Sequence, residues 1–207
     1  MGQSLFMRDN KVLDTLDIAQ DDNGDAFLVE YIKTFTVLIA ISNASPAVKT
    51  FVDGDVTLVG DLIAIASHGY LTGLKVHLTT SGALPTGLSA GNYYVIKVDA
   101  NTIKLASSVA NAIAGTAVDI TAAAGGGTHT LTPAALSGTV KLQASNDIAA
   151  NGTPTNWADI PNKSSSFSSG AYVLLGDIDP GYKWLRVVHT LAAGQINSVV
   201  TLCTKGA

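Results

Sequence analysis

Apolar residues in this chain recur at every second position or in short runs, and almost never at helical spacing. Residues 27–41, FLVEYIKTFTVLIAI, begin with alternation at Tyr31, Lys33, Phe35 and Val37 and then become continuously apolar. That pattern predicts one long strand whose far end is buried on both faces, ended by Ser42 to Pro46. Between about Asp53 and Pro133 the strand-like pieces are short and close together: DVTLV, LIAIASH, LKVHLTT, NYYVIKV, TIKLA, AVDIT and THTLT. Turn chemistry separates them, as at Val98-Asp99-Ala100-Asn101 and Gly125-Gly126-Gly127. Lys97-Val98 and Ile103-Lys104 flank a tight turn and predict a hairpin. Ser107 to Ala114 is the one short helix candidate, or else a loop over the end of a barrel.

From Leu136 onward come GTVKLQAS, a short WADI, YVLLGD, YKWLRVVHTL and QINSVVTLCTK. Leu185, Val187, His189 and Leu191 share one face, with Tyr182, Trp184, Arg186 and Val188 on the other. Ile196, Ser198, Val200 and Leu202 alternate with Asn197, Val199, Thr201 and Cys203. These last two strands, joined at Ala193-Gly194, are expected to pair as an antiparallel hairpin. Residues 1–26 look different. Asp9, Asp14, Asp17, Asp21, Asp22 and Asp25 outweigh Arg8 and Lys11, and few aliphatic residues anchor the stretch. It reads as an extended arm ordered by a partner, with Phe6, Met7, Arg8, Leu13 and Leu16 as candidate contacts.

The expected fold class is therefore all-β. It comprises an antiparallel β-sandwich of residues 27–52 plus 134–207, a small β-barrel-like module inserted at 53–133, and the extended N-terminal arm 1–26. A linear two-domain layout is the alternative. Composition agrees, since Glu30 is the only glutamate among sixteen acids, and Asp and the twenty glycines favour turns over helices.

Charged residues are only 14% of the chain, against about 25% in an ordinary soluble domain. No apolar run approaches the roughly 18–20 residues of a membrane span. A weakly charged surface without such a span points to burial against neighbours in an assembly, with a homo-oligomer expected. Net charge is −4 and the twelve basic residues are scattered, which argues against direct nucleic-acid or membrane-surface binding. The lone Cys203 excludes an intrachain disulfide and suits a reducing cytoplasm, and the N-terminus lacks a signal-peptide pattern.

Candidate chemistry is thin. Gly87-Leu88-Ser89-Ala90-Gly91 matches the serine-hydrolase elbow, but that motif needs a strand before the serine and a helix after it. Here a turn-rich stretch precedes it and the strand NYYVIKV follows. His68, His77, His129 and His189 show no metal-ligand spacing, and His189 is expected to point inward. The run Asp21-Asp22-Asn23-Gly24-Asp25 lacks the alternate acids and closing Glu of a calcium loop. There is no phosphate loop or dinucleotide fingerprint, so no catalytic residue, metal or cofactor is expected. Trp157, Tyr172, Tyr182 and Trp184 form a candidate aromatic surface for sugars, although sandwich core and rim is the favoured reading.

Two segments resemble virion proteins of tailed bacteriophages. SHGYLTGLKVHLTTSGALPTGLSAGNYYVIKVDANTIKLASSVANAIAGTAVDIT, followed by GGGTHTLTP, resembles a small β module that recurs in tail, fibre and other virion proteins. VKLQASND, NWADIP and YKWLRVVHT resemble the β-sandwich pattern of small phage virion proteins. There a strand ending at Ser145-Asn146-Asp147 is followed by the turn Trp157 to Ile160 and the strand Tyr182 to Val187. The resemblance implies a non-enzymatic structural role in a particle assembled in a bacterial cytoplasm. The first expectation is a capsid decoration or cement protein bound to the major capsid protein or other virion proteins. A tail, neck or baseplate component is the alternative, and a receptor- or glycan-binding module is a third.

Overall fold

The structure is a computed structural model describing residues 10–29, 34–43, 46–123, 126–147, 154–168, 171–178 and 181–205. Half of the chain is strand, all of it in antiparallel sheets. The fold is all-β, with a sandwich and a third, curled half-barrel sheet.

The first sandwich sheet has the order β1 (Asn10–Ile18), β16 (Ile196–Lys205), β4 (Thr34–Asn43), β14 (Ala171–Ile178). The second runs β13 (Ala158–Phe167), β12 (Ser137–Ser145), β15 (Trp184–Ala193), β2 (Asp22–Asn23), with β3 (Phe27–Leu28) also paired to β15. Alternation decides what lies between them. Val37, Ile39 and Ile41 of β4 with Val173 and Leu175 of β14 meet Val140, Leu142, Leu185 and Val187 of the facing sheet in one core.

Residues 49–133 make the seven-stranded sheet. Its order is β5 (Lys49–Phe51), β11 (His129–Pro133), β8 (Lys75–Thr80), β9 (Gly91–Lys97), β10 (Thr102–Ala106), β7 (Leu62–Ala64), β6 (Val56–Thr57). β9 and β10 form the expected hairpin, with Ile103 opposite Lys97. The helix candidate is α1 (Val109–Ile113), started by Ser108, whose side chain accepts from the Asn111 N–H. A separate core fills this sheet around Tyr70, Leu74, Leu78, Ile103 and Leu131.

Several expectations need correction. Residues 10–18 are not part of a free arm, because β1 is hydrogen-bonded along β16 from Asn10↔Cys203 to Ile18↔Ile196. Their partner lies at the far end of the sequence, so local composition does not reveal it. Ala19 then packs into the core of the seven-stranded sheet. That sheet starts at Lys49, inside the stretch assigned to the sandwich. The long strand 27–41 is split: β3 pairs with β15 in one sheet and β4 with β16 and β14 in the other. β15 and β16 are not a hairpin either, since they belong to opposite sheets. The turn at Gly194, φ +82, carries the chain across the sandwich, and a Cβ there would meet the Leu136 backbone.

The two units are tied at this crossing. The buried Gln195 side chain accepts from the Leu71 N–H (2.9 Å) and donates to the Gly69 carbonyl (2.9 Å). Both groups of the amide are satisfied, so the contact is strong where it is dry.

His189 is fully buried, as its alternation predicts, and burial pushes its imidazole down to about 4. The unfolded chain takes up this proton below about pH 6.5, whereas the fold resists it until about pH 4. Stability present above pH 6.5 is therefore lost as pH falls, by up to about 1.4 kcal/mol per pH unit. Urea midpoints should drop between pH 7 and 5.5, and the drop should shrink in His189→Gln. An equal drop in the variant would assign the acid sensitivity to other groups.

Candidate functional site

β12 and β15 send alternate residues into the core and the others outward. On the outer face of the five-stranded sheet, Lys141 bonds Asp159 (2.9 Å) and Gln143 donates to Asp159 (2.8 Å). These bonds, Gln143 first, hold Asp159 below the usual carboxylate range. Gln143 also accepts from the Arg186 Nε (2.8 Å), and the Arg186 guanidinium lies 4.5 Å from the centre of the Trp157 ring. Partial burial lowers the pKa of Arg186, yet a guanidinium remains charged. The Trp157 indole N–H donates to the Pro154 carbonyl (3.2 Å).

Beyond the end of these strands lies a cleft of about 500 Å³ lined by Ser145, Asn146, Thr155, Asn156, Trp157 and Tyr182, among others. One carboxylate oxygen of Asp147 organises its wall. It accepts from the N–H and hydroxyl of Thr155 (3.1 and 2.8 Å) and from the N–H and side-chain amide of Asn156 (3.3 and 3.2 Å). Asn146 holds the opposite wall, donating to the Gly181 carbonyl and accepting from the Lys183 N–H.

The structure brings only part of the aromatic set together. Trp157 and Tyr182 line the cleft, both half-buried, and Tyr182 also packs against the sandwich core. Trp184 is half-buried on β15, opposite Ser145 and Leu28, and is not a core residue. Tyr172 stands opposite Ala40 in the other sheet. Phe6, Met7 and Arg8 lie outside the described residues. Leu16 stands opposite Ser198 in β1, and Leu13 falls at the register shift between Val12 and Asp14. Sequence reasoning missed Asn156 in the cleft lining, and also Asp147 and Arg186, which lie outside the lining and hold Asn156 and Trp157 in place. Arg186 shares a face with Trp184 in the alternation, which is the one signal that was present.

A second surface is the outer face of the four-stranded sheet. Leu38 and Ala40 of β4 are only half-buried there, and Leu174 of β14, opposite Leu38, is 65% exposed. Thr201 and Val199 occupy the register positions beside Leu38 and Ala40. A sheet face turned to water is ordinarily polar.

The remaining motifs have structural work. Ser89 bonds the Tyr93 hydroxyl through its N–H (2.9 Å), and a strand follows it. The His68 ring bonds the Asp99 carbonyl (2.8 Å) and accepts from the Tyr70 N–H (2.9 Å). Tyr70 in turn donates to the Ala47 and Leu131 carbonyls, and burial pushes its phenol up to about 12. Thr80, His129 and Asp53 form a hydroxyl–imidazole–carboxylate line at 2.9 and 3.1 Å. The imidazole is fully buried, and the Thr80 hydroxyl is also engaged by Gly82, so this line ties β8 and β11 to the loop after β5. Among the described residues no three His, Cys, Asp or Glu side chains gather as a metal site.

Fold and surfaces together define an all-β protein, a sandwich carrying a half-barrel module between β4 and β12. Compared with known protein families, curated proteins and solved structures, the chain matches none.

Proposed function

We propose that this chain is a non-enzymatic structural protein of a tailed-bacteriophage particle, and that it decorates the capsid by seating one sheet face on the major capsid protein lattice. The observation that carries the reading is the outer face of the four-stranded sheet, where Leu174 is 65% exposed beside Leu38 and Ala40. Apolar surface left uncovered in a chain with 14% charged residues favours burial against a neighbour. The sequence resemblance to phage virion proteins supplies the class of neighbour. Tail, neck or baseplate is the alternative location for the same contact.

Quantitative mass spectrometry of purified particles tests the location. A ratio to the major capsid protein near one, or a simple fraction of it, supports decoration, while a few dozen copies or fewer would move the chain to the tail or neck. Leu174→Asp tests the face. Occupancy should fall at least tenfold, with stability changed by less than about 0.5 kcal/mol because the side chain is exposed. Unchanged occupancy would remove this face as the docking surface.

A further inference from the structure

We infer that the Trp157–Tyr182 cleft is a binding site for a neutral saccharide. A sugar ring has apolar C–H faces and a rim of hydroxyl groups, and the cleft divides in the same way. Trp157 and Tyr182 supply aromatic surface, while Asn156 and Thr155 supply amide and hydroxyl groups beside it. Its volume of about 500 Å³ is within the range of small-molecule sites, roughly 300–1,000 Å³.

The charges nearby are already committed. The Asp147 oxygen that faces this wall takes four donors from Thr155 and Asn156, and Arg186 is spread over the indole and bonded to Gln143. An anionic ligand finds no lining cation, and a cationic one meets an indole that already carries a guanidinium. Among the described residues, the Tyr182 hydroxyl and the Asn156 side-chain carbonyl carry no hydrogen bond, so both remain available to sugar hydroxyls.

The site is also fixed before any ligand arrives. The indole is held by Pro154 on its edge and Arg186 on its face, and Asn156 is held by Asp147. Groups that need no ordering lose less entropy on binding. The cleft belongs to the five-stranded sheet and the proposed docking face to the four-stranded one. A docked subunit therefore keeps the cleft uncovered by that contact, and each can fail without the other.

The test uses the free full-length chain on a printed array of neutral and acidic glycans. Tryptophan-fluorescence titrations follow with maltohexaose, cellohexaose and mannohexaose, and with sialyllactose and hexaproline as rivals. Binding of neutral glycans is expected, weakened at least tenfold in both Tyr182→Ala and Asn156→Ala, with both variants melting as a single folded species. Asn156 is exposed, so its variant keeps the test open if Tyr182→Ala fails to fold. Silence across the neutral glycans, binding confined to sialyllactose or hexaproline, or neutral-glycan binding unmoved by the foldable variants would overturn the inference.

Discussion

Gly87→Ala should destabilise the chain by about 4 kcal/mol or more, the largest single effect expected for so small a change. Gly87 has φ +109, a conformation that side chains disfavour. A Cβ there would also overlap the Asp119 carbonyl oxygen. That oxygen cannot move aside cheaply. Thr86 exchanges backbone bonds with Ala122 and Thr121 (both 3.0 Å), the next N–H, of Ile120, donates to Asp61 (2.8 Å), and Ile120 itself is buried. Strain and overlap therefore add. Gly54→Ala is the control, since nothing lies within 4 Å of a Cβ there. Guanidinium unfolding of the two variants measures the contrast, and a loss below about 1 kcal/mol at Gly87 would mean that the loop slides past Asp119. The same geometry explains why a hydrolase-like string occurs here: the first glycine of GLSAG is needed for a close backbone approach.

Leu142→Ala should cost about 2–5 kcal/mol, as expected for a fully buried leucine. Its interest lies in which part of the chain responds. Leu142 sits in the sandwich core, whereas Ile103, equally buried, sits in the core of the seven-stranded sheet. Both tryptophans, Trp157 and Trp184, are in the sandwich unit, so their fluorescence reports on that unit alone. Far-ultraviolet circular dichroism reports on all three sheets. Gln195 and Ala19 tie the two cores, and one coincident transition by both probes is expected for Leu142→Ala and for Ile103→Ala. If fluorescence held its midpoint in Ile103→Ala while circular dichroism shifted, the units would unfold separately and the tie would be weak.

Strand positions were legible wherever period-two alternation met turn residues, as in KVHLTT, TIKLA and WLRVVHTLAA. What alternation leaves open is the partner. β15 and β16 have equally clean patterns and a turn between them, the usual marks of a hairpin, yet Gly194 turns the chain toward the facing sheet. Only a short WADI segment of β13 looks strand-like in the sequence, because Pro161, Lys163 and three serines break its apolar pattern. It nevertheless runs from Ala158 to Phe167 as an edge strand, where a proline and the left-handed Asn162 (φ +59) are tolerated. β1 was hidden by its aspartates and by its distance from β16. The cleft was half legible: aromatic residues announced themselves, but the polar wall depends on Asp147 bonding Thr155 and Asn156, 8 and 9 residues further along the chain.

The position of β16 has a consequence for how the chain matures on the ribosome. Residues 196–205 form an interior strand, flanked by β1 on one side and β4 on the other. Those two early segments are synthesised first and have no common partner until residue 205 emerges. The hairpins of residues 49–133 find their partners much sooner, through short loops. The half-barrel therefore has a head start in synthesis, and closure of the sandwich around β16 is a late event.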